Sequence, residues 1–182
     1  MRKIVVTEFL SLDGVMENPA WTFPYWNDEI AAFKDEEKHT SDALLLGRVT
    51  YQEFAAAWPK IKPEKDPFAP YMNSVRKYVV STTLKEPLEW NNSHLVKDDI
   101  IEEVNRLKQQ DGQDIAVHGS ATLAQTLMQD DLVDSIRLLV YPVVVGKGKR
   151  LFKEGDSATL KLVESQSFNS GVVALVYEPA RK

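Results

Sequence analysis

The chain has 182 residues, no Cys, 22 Lys+Arg against 27 Asp+Glu, and a formal charge of −5. The length suits a single domain over residues 1–182 that buries its own core, and the missing Cys excludes a disulfide framework, a thiol nucleophile and a zinc finger. The three His, at 39, 94 and 118, are too far apart in sequence to suggest a metal site, and the mild acidic excess argues against a nucleic-acid surface.

Lys3–Phe9 is a β-branched run that reads as a buried strand, ending at Ser11-Leu12-Asp13-Gly14. Glu8 breaks its apolar character, so it does not read as a leader, and no run approaches the roughly 18–20 apolar residues of a membrane span. A cytoplasmic protein with no membrane partner is expected. Ser11 to Tyr25 reads as a long binding loop with Trp21 and Phe23. Asn27 caps a helix with Asp28 and Glu29 in its first turn and Trp26, Ile30 and Phe33 as its stripe, and Asp35-Glu36-Glu37-Lys38 reads as its solvated end.

Ala43–Leu46 is a second strand, stopped by Gly47, and Val49–Ala57 a helix. Trp58–Pro70, with four Pro, reads as loop. Lys77–Ser81 is a third strand and Leu95-Val96 a weaker fourth. A helix starts at Asp98 or Asp99 and ends at Asp111-Gly112. Ile115–Val117 is a strand that stops at Gly119, and Ser120 opens another helix. Ser135–Val140 is a strand, and Leu160–Gln166 with Val172–Tyr177 flank the hairpin signal Asn169-Ser170-Gly171. This alternation predicts an α/β fold: a central mixed, mostly parallel sheet with helices on both faces and a C-terminal antiparallel hairpin.

Two strand ends share one pattern, Leu46-Gly47-Arg48-Val49-Thr50 and His118-Gly119-Ser120-Ala121-Thr122. In each a strand stops at Gly and a helix starts with a hydroxyl in its first turn. Ligands of parallel sheets lie at the carboxyl ends of strands, and helix N-termini attract phosphate. Both glycines either open a phosphate site, with Arg48 as its planar cation, or only make tight turns. Neither turn is a Walker loop or a GxGxxG fingerprint. Ser81-Thr82-Thr83 at a third strand end either bonds a ribose phosphate or is an ordinary polar terminus. Glu29, bordering an apolar stripe, is the candidate proton donor, with helix-end stabilisation as the alternative role. Trp21 and Trp26 either stack on a flat heterocycle or belong to the core.

These segments, with Ser11-Leu12-Asp13-Gly14, Tyr78-Val79-Val80-Ser81 and Pro142-Val143-Val144-Val145-Gly146-Lys147-Gly148, run in an order that resembles the dihydrofolate-reductase-like superfamily. The resemblance is in particular to the riboflavin biosynthesis reductase domain, the C-terminal part of bacterial bifunctional deaminase-reductases. It implies an NADPH-dependent reductase of a small nitrogen heterocycle, similar to 5-amino-6-(5-phosphoribosylamino)uracil reductase. Dihydrofolate reductase and a non-catalytic nucleotide-binding protein are the alternatives. It further implies that Gly47, Arg48 and Thr50 hold cofactor phosphates and that Arg48 and Ser81, with Thr82 beside them, meet the 2′-phosphate. Gly119, Ser120, Ala121, Thr122 and Leu123 would cover the pyrophosphate and nicotinamide. Asp13 and Gly14 would lie in a loop over the nicotinamide, Asp13 as a second catalytic candidate, and Gly14, Trp21, Trp26 and Phe33 would face substrate. Where dihydrofolate reductases have a glycine pair, this chain has His118, which either touches cofactor or fills space. The family implies a homodimer and needs no metal, since the cofactor carries the bond chemistry.

Overall fold

A computed structural model describes residues 1–180. The elements are β1 (Ile4–Ser11), α1 (Asp28–Asp35), α2 (Glu37–Thr40), β2 (Ser41–Gly47), α3 (Arg48–Ala57), α4 (Ala69–Ser74), β3 (Arg76–Val80), β4 (Ser93–Val96), α5 (Ile100–Lys108), β5 (Asp114–Val117), α6 (Ala121–Gln129), β6 (Ser135–Tyr141), β7 (Leu160–Ser167) and β8 (Val173–Pro179). Eight strands form one sheet in the order β4-β3-β2-β5-β1-β6-β8-β7. The first six pair in parallel, and β8 and β7 are antiparallel. This is the expected mixed, mostly parallel sheet with a C-terminal hairpin.

Strand alternation sorts the core onto two faces. Ile4, Val6 and Leu10 of β1 share one face with Leu123, Ala124 and Leu127 of α6 and Val104 and Leu107 of α5. On the opposite face, Ile30 and Phe33 of α1 pack with Leu139 and Tyr141 of β6, and Tyr51 of α3 packs with Leu44 and Leu46 of β2. Each buried Val, Leu, Ile or Phe among these contributes roughly 1.5–3 kcal/mol. Asn27 caps α1 by accepting from the Ile30 N–H, and Asp99 caps α5 through the N–H groups of Ile101 and Glu102.

Three segments differ from the sequence reading. The loop at 11–25 ends in a 3-10 turn, Pro19–Tyr25. The proline-rich stretch ends in α4, because Pro70 falls in the first helical turn, where its missing N–H costs nothing. Glu37 is not solvated. Glu36, between α1 and α2, keeps helical backbone, so Glu37 falls on the inward face with Ile30, Phe33 and Lys34 and is only 2% exposed. No helix among the described residues is long and apolar enough to cross a membrane.

Candidate active site

The site follows from the shortness of one strand. β5 stops at Val117, opposite Val6 of β1 and Leu45 of β2. β1 continues to Ser11 alongside β6, so its last residues have no strand on their other side. The chain leaves β1 toward β2 and leaves β5, through α6, toward β6 on the other side. Adjacent strands whose connections diverge leave a crevice at their carboxyl ends. Here it is a cleft of about 560 Å³.

The two strand–glycine–helix turns meet in it. Gly47 precedes α3 with no side chain capping the helix, and Ser120 caps α6, accepting from the Leu123 N–H at 3.3 Å. The turns touch through their glycines. A Cβ on Gly47 would lie 2.8 Å from Ser120 Oγ, and one on Gly119 would run into the Thr50 side chain. Gly119 also has φ +53°, the left-handed region that favours glycine. Arg48, Thr50, Gly119, Ser120, Ala121 and Thr122 all line the cleft, and Lys149 joins from the loop after β6. The Arg48 guanidinium contacts Gln52 on its own helix and is otherwise open to a ligand.

Behind these turns lies a polar cluster. Lys34 Nζ of α1 donates to both Glu37 oxygens at 2.7 Å and to Thr7 Oγ1 at 3.0 Å, and the Thr7 hydroxyl donates to Glu37 Oε1 at 2.5 Å. His118 Nε2 lies 3.5 Å from Glu37 Oε2. Burial disfavours the Glu37 charge, but Lys34 and His118 together hold its carboxyl below the usual carboxylate range. Burial and the nearby Lys34 charge push His118 down to about 4, against a weaker opposing pull from Glu37. Glu8 lines the cleft from β1 and accepts the Gly119 N–H at 2.6 Å. Burial pushes its carboxyl up to about 8, against the Gly119 hydrogen bond and the Lys34 charge.

Other expected site residues are placed differently. Leu123 is buried in the core, and Gly47, the residue before α3, packs against Ser120 and does not line the cleft. Ser81 ends β3 beside Val80, the register partner of Gly47, and its hydroxyl accepts from the N–H groups of Thr83 and Leu84. Thr82 is exposed. The Glu29 carboxylate accepts from the Asn27 side chain and the Asn169 N–H, joining α1 to the β7–β8 turn outside the cleft. Asp13 accepts from Ser11 Oγ and from the N–H groups of Val145 and Gly146, and these bonds hold it at about 2. It thereby straps its loop, with Gly14, to the segment after β6. Trp21 stacks edge-on against Tyr141, Trp26 against Phe9, and Phe33 against Phe168. Of this aromatic group Phe9 reaches the cleft wall. The sequence reading missed Glu8, Lys34 and Glu37. Their signal was a charged residue inside a strand and two on a helix otherwise read as amphipathic.

The RibD C-terminal domain family matches residues 2–174. The uncharacterised protein YyaP of Bacillus subtilis (strain 168) is 35% identical over 181 residues, covering 97% of this chain and 94% of that one. A Thermotoga maritima diaminohydroxyphosphoribosylaminopyrimidine deaminase/5-amino-6-(5-phosphoribosylamino)uracil reductase superposes with TM-score 0.69 at 14% identity, over 98% of this chain and 57% of that one. Dihydrofolate reductase from Enterococcus faecalis, solved in complex with NADP(H) and RAB-propyl, superposes with TM-score 0.65 at 12% identity, over 98% of this chain and 97% of that one. The fold is dihydrofolate-reductase-like and the family one of riboflavin-biosynthesis-type reductase domains. The chain belongs to the RibD C-terminal domain family.

Proposed function

We propose that the protein is an NADPH-dependent reductase of a small nitrogen heterocycle, similar to 5-amino-6-(5-phosphoribosylamino)uracil. The observation that carries this is the meeting of two glycine-led helix starts, with Arg48, at the sheet's switch-point cleft. The residues present fit a dinucleotide phosphate chain: an uncapped helix N-terminus, two glycines that let the helix starts pack against each other's Ser120 and Thr50, and an open guanidinium. Arg48, Thr50, Ser120 and Thr122 would bind the phosphates, with Ser81 at the neighbouring strand end toward the 2′-phosphate. The bound nicotinamide would supply the hydride. Phe9 and the polar floor of the cleft would orient the substrate and exclude water.

NADPH is expected to quench Trp fluorescence and raise the melting temperature, and NADH to do so more weakly. Arg48→Ala should weaken NADPH binding about tenfold or more, because a charge-assisted phosphate contact contributes a net of about 1.5–3 kcal/mol and each 1.4 kcal/mol is tenfold in affinity. The same substitution should weaken NADH binding less, since NADH lacks the 2′-phosphate that Arg48 would meet in addition to the phosphate chain. No NADPH binding by the wild-type protein would end the reading, and binding without turnover on any heterocycle would favour a nucleotide-binding role.

Pairing of two copies belongs to the same reading. β7 is one of the two edge strands of the sheet, opposite β4, and Leu162 and Val163 on it are 49% and 54% exposed. A free apolar strand edge invites pairing. Light scattering on a sizing column should report a dimer, converted to monomer by Leu162→Glu together with Val163→Lys. A monomeric wild-type protein would rule the pairing out.

A further inference from the structure

We propose that Glu8 is the proton donor of this cleft, protonating the heteroatom of the C=N or C=O bond that the bound heterocycle presents for reduction. The inference rests on the reductase reading and adds the residue that completes its chemistry.

Geometry places Glu8 first. It projects from the central strand β1, at the level where β5 has already ended, and lines the cleft. One oxygen, Oε1, is anchored by the Gly119 N–H at 2.6 Å. The second makes no hydrogen bond among the described residues and is not a sealed orphan, which leaves it for the cleft. A backbone donor on one oxygen fixes the carboxyl's direction while the other holds the proton.

Elimination among the neighbouring groups agrees. Asp13 is held ionised by its loop bonds, and Glu29 is tied to Asn27 and Asn169 outside the cleft. Glu37 is ion-paired to Lys34, and Glu17 accepts the Lys149 N–H at the rim. The Lys34 ammonium is committed to Glu37 and Thr7, so it makes no ion pair with Glu8. His118 is neutral near pH 7 and has no hydrogen-bond partner at Nε2. The charged and titratable groups facing Glu8 are therefore Lys34 from α1, Glu37 from α2, His118 from the β5–α6 turn, Arg48 and Glu53 from α3, and Glu17 and Lys149 from the loops. Their sum leaves burial dominant, and Glu8 carries a proton at neutral pH.

In the step itself, the carbon of the C=N or C=O bond takes hydride from the reduced nicotinamide, which is oxidised. The π bond breaks, the heteroatom takes the Glu8 proton, and a C–H and an N–H or O–H bond form. Glu8 is left as a carboxylate, met by the Gly119 N–H and the Lys34 field, and regains its proton from solvent.

The test compares wild type, Glu8→Gln and Glu8→Asp, using NADPH with 5-amino-6-(5-phosphoribosylamino)uracil and with 7,8-dihydrofolate. Infrared spectra of the wild type should show a protonated-carboxyl band at pH 7 that titrates away near pH 8 and is missing from Glu8→Gln. NADPH affinity of Glu8→Gln should stay within about twofold of wild type. Its turnover should fall about 100-fold or more, with Glu8→Asp intermediate. Because the acid form is active, the wild-type rate should fall as pH rises through about 8, and Glu8→Gln should lose that limb. Absence of the infrared band, or an unchanged Glu8→Gln rate with NADPH bound, overturns the donor role alone. Failure of wild type to bind NADPH overturns the reductase reading and the donor role with it.

Discussion

Replacing Lys34 by Met is expected to destabilise the fold by about 3–5 kcal/mol, because it strands a buried carboxylate. Met keeps most of the side-chain volume and a good helix propensity, so little of the loss should come from packing or from α1 itself. Glu37 is 2% exposed, and Lys34 supplies the only ammonium among its described partners, at 2.7 Å to each oxygen. Thr7 and His118 remain, but a hydroxyl and a neutral imidazole do not offset a desolvated charge. A double variant, Lys34→Met with Glu37→Gln, should recover much of the loss, since removing both charges also removes the desolvation cost. The pH dependence carries a sign. Lys34 is one of the two causes holding His118 down, so its removal lets His118 protonate in the folded state and pair with Glu37. In the wild type, where burial and Lys34 depress His118, protonation of the unfolded chain lowers stability as pH falls, and bringing the folded pKa back toward its ordinary value reduces that loss in the variant. The deficit of Lys34→Met should therefore shrink on going from pH 8 to pH 5.5, as read by urea unfolding at both. Equal stability of the single variant and wild type at pH 8 would contradict a charged Lys34–Glu37 pair.

The same cluster marks where sequence pattern stops being informative. The glycine turns were readable because they depend on local order: a strand, a glycine and a helix start within a few residues, at Gly47 and at Gly119. The sheet was readable because β-branched runs alternate with amphipathic helices. Glu8 was not, because its role depends on β5 ending at Val117, more than a hundred residues away, which opens the cleft beside β1. Glu37 stood in an acidic run beside Asp35 and Glu36, a composition typical of a solvated face. Helical backbone at Glu36 carries the inward stripe of Ile30, Phe33 and Lys34 on to Glu37, where Thr7 from β1 and Lys34 supply its partners. Glu29 was favoured because it borders an apolar stripe. That stripe packs against β6 and β8, not against the cleft, and the carboxylate joins the β7–β8 turn.

Gly119→Ala is expected to weaken NADPH binding about 100-fold while costing about 2 kcal/mol of stability. Two physical effects separate here. The left-handed φ of +53° strains any L side chain by about 1–2 kcal/mol, which accounts for the stability loss. The new Cβ also runs into the Thr50 side chain, with Thr50 Cγ2 at 3.1 Å and Cβ at 3.3 Å, and Thr50 stands in the first turn of α3. Relief requires the two helix starts to move apart, so their N–H groups no longer converge on one phosphate chain. It also shifts the Gly119 N–H that anchors Glu8, so turnover should fall further than affinity. Gly14→Ala is the control. Gly14 has φ +82°, yet a Cβ there meets nothing within 4 Å and the residue lies outside the cleft. It should show a comparable stability loss with NADPH affinity intact. Adding Thr50→Ala to Gly119→Ala removes the closest atoms of the clash and should restore part of the affinity without restoring the backbone strain. Calorimetric titration with NADPH and thermal unfolding on the four proteins read both effects. Wild-type affinity in Gly119→Ala, or an equal loss in Gly14→Ala, would show that the convergence of the two turns does not hold the cofactor.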